Sequence, residues 1–328
     1  MTYIGIDLGG THTAAAYVDE NGVIKKRASI PTDISGGAKT VLSGLFYVCD
    51  TLLSDANDMP LSIGIGVPGT VNDKTGEVIF TPNLPLRDIN IKLEMQKKYA
   101  CPVLLGNDAN CAALGETVAG GAKGARNVVL ITLGTGVGGG ILFGGRLHTG
   151  LSGAAGELGH MVIRAGGRPC GCGRRGCWES YASATGLIRT AKEFMRIYKE
   201  SMILSICGGN PENVSGRIVF EAYRLGDKAA RRIVERYTKN LATGIVNIIN
   251  MLEPELICIG GGISNEWDCF AEQLQAKVDK EKFTRFAPES NQTRIVRAEL
   301  GNDAGIIGAA LLGKRRETGA APVDGYNA

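Results

Sequence analysis

One histidine and three cysteines, His160, Cys170, Cys172 and Cys177, fall within eighteen residues, separated largely by glycine, proline and arginine rather than by apolar helix positions. Three thiolates and an imidazole are the soft and borderline donors that a tetrahedral zinc ion prefers, and a short glycine-rich loop can fold them around one ion. The chain has nine cysteines, an odd number, and starts on Thr2-Tyr3-Ile4 without a basic-then-apolar leader. A reducing compartment, the cytoplasm, is therefore expected, and a disulfide framework is not. The other six, Cys49, Cys101, Cys111, Cys207, Cys258 and Cys269, are scattered among apolar neighbours and read as core. Three thiolates on a divalent ion leave the site one unit negative, and Arg164, Arg168, Arg174 and Arg175 are close enough in sequence to offset that charge.

A second kind of chemistry is written near the start of the chain. Tyr3–Asp7 reads as a strand, Gly9-Gly10-Thr11 as a turn, and Thr13–Val18 as a returning strand. A hairpin tip of this composition exposes backbone N–H groups and hydroxyls, the donors that phosphate oxygens require. Asp7, at the strand end, can reach a Mg²⁺ ion on those phosphates; a plain β-turn is the alternative. The plan recurs at Val128–Phe143, where Ile131-Thr132-Leu133-Gly134 repeats Ile6-Asp7-Leu8-Gly9 and Thr135-Gly136 follow. A duplicated domain leaves such a mark. Gly134, Gly136 and Gly139 also satisfy the dinucleotide fingerprint, but that fingerprint needs a helix next, and Gly140–Gly145 cannot hold one. No Gly-Lys-Ser/Thr is present, which removes the P-loop route to ATP.

The remaining candidates stand where strands end. Asn107-Asp108 follows the strand Cys101–Gly106 and precedes a helix over Ala109–Val118; ligands of open α/β sheets gather at that edge, although a helix cap is the plainer role for Asp108. Asn83 sits on a stiff loop, Thr81–Leu86, set by two prolines, and can either bind a polyhydroxylated ligand or cap a turn. Gly260-Gly261-Gly262 ends another strand, leaving room for a flat group or merely loosening a turn. Apolar stripes predict helices over 35–55, 183–201 and from Asp227 to Leu252, the last stopped by Glu253-Pro254, with a final helix from Asn302-Asp303 to Leu312.

The run His160…Cys170-Gly-Cys172-Gly-Arg-Arg-Gly-Cys177-Trp-Glu179, with Gly156-Glu157-Leu-Gly-His160 before it, resembles the signature of the family of bacterial repressors, open reading frames and sugar kinases. Within that family the chain is similar to the glucokinases over nearly its whole length. The resemblance implies an α/β fold of two ribonuclease-H-like, actin-like ATPase domains flanking a nucleotide and sugar cleft. The first would cover about 1–116, rejoined by 302–313, and the second about 117–301, including the zinc loop 160–177; 314–328 reads as a mobile tail. It implies ATP-dependent phosphorylation of a hexose, glucose giving glucose 6-phosphate, with Asp108 as general base. Gly69, Asn83, Asn107, Asp108, Glu157, His160 and Glu179 would bind sugar hydroxyls. Nucleotide and Mg²⁺ would fall to Asp7, Gly9, Gly10, Thr11, Thr13, Gly134, Thr135, Gly136, Gly261 and Gly262. The same resemblance admits kinases for allose, fructose or N-acetylmannosamine. It also admits sugar-responsive repressors, which carry a helix-turn-helix domain ahead of the phosphate strand; Asp7 lies too near the start for one here. A homodimer or homotetramer is implied as well.

Bulk properties agree. At 328 residues, 44% hydrophobic and 21% charged, the chain has room for two cored domains. A formal charge of +3 gives no reason to expect nucleic acid or an anionic membrane as partner, and no apolar run nears the ~20 residues that span a bilayer.

Overall fold

β-Branched and apolar runs punctuated by glycine make short buried strands, and 3.6-residue apolar spacing makes the helices between them. The computed structural model describes residues 1–54 and 58–314; from residue 315 on, the expected tail lies outside them. The chain opens with β1 (Thr2–Leu8), β2 (His12–Asp19), β3 (Ile24–Pro31) and helix α1 (Ala38–Leu53). Next come β4 (Ile63–Val67), β5 (Thr70–Asn72), β6 (Glu77–Phe80), β7 (Arg87–Asn90), α2 (Ile91–Gln96), β8 (Val103–Asn107) and α3 (Asp108–Ala119). Then β9 (Val128–Leu133), β10 (Val137–Phe143) and β11 (Arg146–Leu147) lead to the cysteine loop. Helices α4 (Glu179–Ala182), α5 (Ala184–Met195), α6 (Met202–Ile206), α7 (Gly216–Arg224) and α8 (Lys228–Leu252) follow it. The chain ends with β12 (Leu256–Gly260), α9 (Trp267–Glu281), β13 (Arg294–Arg297) and α10 (Asp303–Leu311).

The described residues pack as two units. One comprises Met1–Gly124, Gly140–Ala155 and the chain from Leu300; the other comprises Ala125–Gly139 and Gly156–Glu299. The stretch expected as a single second domain is thus divided, with 117–124 and 140–155 grouped in the first unit. The sheets have the orders β3-β2-β1-β4-β8 and β11-β10-β9-β12-β13, and a three-stranded β5-β6-β7 sheet stands beside the first. The two large sheets share one plan, antiparallel hairpin strands followed by parallel ones, so the weak repeat in sequence is a repeat in topology. Register places the ends of β1, β4 and β8 side by side, with Asp7 opposite Gly66 and Asn107 opposite Val67.

Local signals explain the helix bounds. Helix α1 buries Val41, Leu45, Val48 and Leu52, the expected stripe. Asp227 caps α8 by accepting from the N–H of Ala230, and Glu253 ends it at φ 41°. Helix α5 stops at Met195, short of the expected Ser201, which caps α6. In the first unit α10 lies against β1, β4 and α3. It fits because a Cβ at Gly64 would stand 1.8 Å from the Ala309 carbonyl, and one at Gly308 would stand 1.6 Å from that of Cys111.

Candidate active site and cysteine loop

The first glycine hairpin is held by its carbonyls. Gly9 N–H donates to the His12 carbonyl at 2.9 Å, closing the turn. Thr32 then grips the loop from β3's end, its hydroxyl on the Gly9 carbonyl at 2.8 Å and its N–H on that of Thr11 at 2.9 Å. Among the described residues no acceptor is recorded for the N–H groups of Gly10 and Thr11, which leaves two amides for an anion. Thr13 differs from expectation. It is buried, with its hydroxyl 2.9 Å from that of Thr32, and so supports the hairpin from behind.

The second hairpin repeats this with different partners. Gly134 N–H donates to the Gly136 carbonyl at 3.0 Å. Ala184 N–H donates to the Gly134 carbonyl, and the Thr185 hydroxyl to the Thr135 carbonyl, each at 2.8 Å. The N–H groups of Thr135 and Gly136 have no recorded acceptor among the described residues. A strand, β10, follows the hairpin, as the failed dinucleotide fingerprint requires.

At the shared strand edge of the first unit, Asn107 rather than Asp108 caps α3. Its Oδ1 accepts from Asn110 N–H at 3.1 Å, and its Nδ2 donates to the Gly69 carbonyl at 3.1 Å. Asp108 is the first helical residue, and its Oδ1 accepts from Ala109 N–H at 2.8 Å. Asn107 thus holds the N-cap position, while Asp108 also accepts from one of the helix's first amides. Asp7 is half-buried against α10, where a Cβ on Gly305 would lie 3.2 Å from its carboxyl carbon. Burial, and secondarily the charge of Asp108, pushes the Asp7 carboxyl up to about 6. A divalent cation would offset both charges. Asn83 is exposed on its proline loop, and a Cβ at Gly10 would touch its Cβ at 3.4 Å. The first hairpin and the proline loop thus adjoin within this unit.

In the second unit, His160 Nδ1 is 3.6 Å from Cys170 Sγ, and the Sγ atoms of Cys172 and Cys177 are 3.7 Å apart, far beyond a disulfide. All four donor atoms lie within 4.8 Å of one another. A zinc tetrahedron with ordinary bond lengths has edges of about 3.8 Å between sulfurs and about 3.6 Å from nitrogen to sulfur, so the donors fit it. The other ring nitrogen, Nε2, is turned to Glu157, 3.9 Å from its Oε2. Arg174 donates to the His160 carbonyl at 3.3 Å. Arg168 does not serve the thiolates. Its buried guanidinium bonds the Ser180 and Gly186 carbonyls, the Thr190 hydroxyl and both oxygens of Glu193, and lies over the Tyr181 ring, tying the loop to α4 and α5. Glu179, the first residue of α4, accepts from Val137 N–H at 3.0 Å, with its other oxygen 3.8 Å from Cys170 Sγ.

The two glycines after β12 have separate reasons. Gly261, at φ 82°, leaves space for the backbone of Leu133, which a Cβ would meet at 2.6 Å, whereas Gly262 borders open space. Only the latter keeps the expected approach for a flat ligand. Sequence reasoning missed Thr32, Ala184 and Thr185, because backbone carbonyls held across a fold leave no motif.

A sequence model of the ROK family matches residues 3–316, and the chain belongs to the ROK family. It is 38% identical to a glucokinase of Halalkalibacterium halodurans over 96% of both chains. The solved ROK family glucokinase of Streptomyces griseus, in complex with glucose and AMPPNP, superposes with a TM-score of 0.78 at 33% identity, covering 96% of this chain and all of that one. The xylose repressor of Bacillus subtilis is 28% identical over 94% of this chain and 76% of the repressor. The fold is accordingly the actin-like one of ROK sugar kinases. Among the described residues no helix is long and apolar enough to cross a membrane.

Proposed function

We propose that this chain is an ATP-dependent hexose kinase that transfers the γ-phosphoryl group of ATP to the 6-hydroxyl of glucose. The observation that carries the reading is the near full-length likeness to glucokinases, at higher identity than to the repressors. The hairpin geometry supports it, since two amide pairs left without protein acceptors suit phosphate oxygens.

In this reading Asp108 takes the proton of the 6-hydroxyl as its oxygen bonds to the γ-phosphorus and ADP departs with the bridging oxygen. Gly69, Asn83, Asn107 and Asp108, with Glu157, His160 and Glu179, bind sugar hydroxyls. Asn107 presents little beyond one amide hydrogen, because its cap and the Gly69 carbonyl occupy the rest. Gly9, Gly10, Thr11, Gly134, Thr135 and Gly136 cradle phosphates, Thr13 backs the first cradle, and Gly262 borders the base while Gly261 seats that turn on Leu133. Asp7 holds Mg²⁺, which offsets charge on the phosphates. A structural Zn²⁺ is held by His160, Cys170, Cys172 and Cys177; with all four positions filled by protein it offers no open site. Its task is to fix the loop that bears Glu157, His160 and Glu179. A cytoplasmic home accords with nine free thiols, and the family likeness supports a homodimer or homotetramer.

An ATP-coupled assay over glucose, fructose, allose and N-acetylmannosamine tests the reading. Glucose is expected to have the highest kcat/KM; a higher value for another sugar would reassign the acceptor, and no turnover with any hexose would end the kinase assignment.

A further inference from the structure

Besides its own Gly134 to Gly136 closure, the second hairpin is held by the segment that leaves the cysteine loop. Three of its backbone groups are held from there: the Val137 N–H by the Glu179 carboxylate at 3.0 Å, the Gly134 carbonyl by Ala184 N–H, and the Thr135 carbonyl by the Thr185 hydroxyl, both at 2.8 Å. The fit at Gly136 is close, since a Cβ there would stand 2.3 Å from Glu179 Oε2. With those groups held, the amides of Thr135 and Gly136 are the ones left over. The first hairpin is gripped by Thr32 of its own sheet, so dependence on a ligand-loop segment is peculiar to the second. The carboxylate also faces Cys170 Sγ at 3.8 Å, which puts one side chain in contact with a metal donor and a phosphate loop together.

We propose that Glu179–Thr185 is a brace that holds hairpin 134–137 in its nucleotide-binding shape, with Glu179 as a positioning residue for that hairpin besides its contact with sugar. The proposal rests on the kinase reading only in taking this hairpin as a nucleotide contact. Because one carboxylate serves both, sugar and nucleotide affinities are linked, each ligand changing the other's binding by the same factor. The opposite physical effect is available and makes the sign decisive. A carboxylate that simply lay near the phosphates would repel them, and its removal would tighten nucleotide binding; a brace, once removed, loosens it.

The test is equilibrium binding of the magnesium complex of a non-hydrolysable ATP analogue to the zinc-loaded full chain without sugar, with zinc content and thermal midpoint measured alongside. Thr185→Val, which touches neither metal nor sugar, is expected to weaken binding about 3- to 10-fold, the worth of one hydrogen bond. Thr185→Ser should restore it to within about twofold, since the hydroxyl is kept. Glu179→Ala is expected to weaken binding about 10-fold or more, as a charge-assisted bond is the stronger kind, with Glu179→Gln between, its amide oxygen still able to accept from Val137. Affinities within twofold of wild type, or tighter, for both Thr185→Val and Glu179→Ala would overturn the brace. A wild-type chain that binds the analogue but phosphorylates no hexose would defeat the kinase reading alone, and one that binds no nucleotide would overturn both.

Discussion

Asp108 and Asp7 show how two carboxylates at one strand edge are given different work. Asn107 caps α3 and an Asn Oδ1 at 108 can still accept from Ala109 N–H, so Asp108→Asn should leave the helix intact while removing the ability to accept a proton. A kcat loss of at least about 100-fold is expected, the low end for general-base removal, with nucleotide affinity little altered. A variant that keeps more than about a tenth of wild-type kcat would place the base elsewhere. Asp7 is a stability question. Its folded value, about 6, lies above the ordinary 3.8, so the folded state binds the proton more tightly than the unfolded one. That contribution is favourable at low pH and is lost as pH rises from about 4 through 6, after which the penalty is constant. Asp7→Asn removes the penalty. In metal-free protein the variant should gain about 1 kcal/mol more over wild type at pH 7 than at pH 5 in denaturant melts. Equal gains at the two pH values would mean that Asp7 stays charged throughout.

Elements here are set by close backbone approach as much as by apolar stripes. Helix α10 is small-residue and almost uniformly buried, and its glycine at 308 meets the carbonyl of Cys111 where no side chain fits. Gly308→Ala should raise helix propensity locally and still destabilise the protein by about 1–3 kcal/mol through overpacking. The check is a thermal or urea midpoint. An unchanged or raised midpoint would show that α3 and α10 can separate without cost. The two glycine hairpins make a related point: identical plans are secured by Thr32 in one sheet and by α5's first residues in the other. Both hairpins leave two amides without a protein acceptor among the described residues, while the grip behind them differs.

At the scale of the whole molecule, the proposed metal loop, 160–177, contains no α-helix and no extended strand among the described residues. Cys172 is exposed and Cys177 is buried, and between Leu158–His160 and α4 the chain is ordered by isolated bridges, Val162 to Cys177 and Pro169 to Arg175, by loop hydrogen bonds such as Gly176 N–H to the Arg168 carbonyl, and by the Arg168 network. One zinc per chain is expected. Cys172→Ser should lose it and with it most glucose phosphorylation, because His160 and Glu179 are oriented from the loop. Zinc-finger peptides gain about 10 kcal/mol from their metal, but a domain with its own core and the Arg168–Glu193 pin should lose far less and stay folded. Metal analysis beside glucose affinity decides the point. A zinc-free variant with near-normal glucose affinity would show that the loop orders itself without the ion.

The sequence by itself determined the parts whose physics is local. Spacing of His160, Cys170, Cys172 and Cys177 pointed to four donors that the fold brings within 4.8 Å of one another, Gly9-Gly10-Thr11 and Gly134-Thr135-Gly136 pointed to two hairpin turns, and apolar periodicity located α1, α8 and α10 within a few residues. Side-chain type and near-neighbour geometry are enough for these. Tertiary structure decided what required partners distant in the chain. It turned Arg168 away from the thiolates and toward Glu193, assigned the α3 cap to Asn107, buried the Thr13 hydroxyl against Thr32, and gave Gly261 to the backbone of Leu133. It also divided 117–155 between the two units, since the packing of a strand depends on what lies beside it. Each of these outcomes follows from a hydrogen bond or a steric contact between residues dozens of positions apart, or from a choice between adjacent side chains that only the finished backbone makes. Composition and spacing carry no record of such choices.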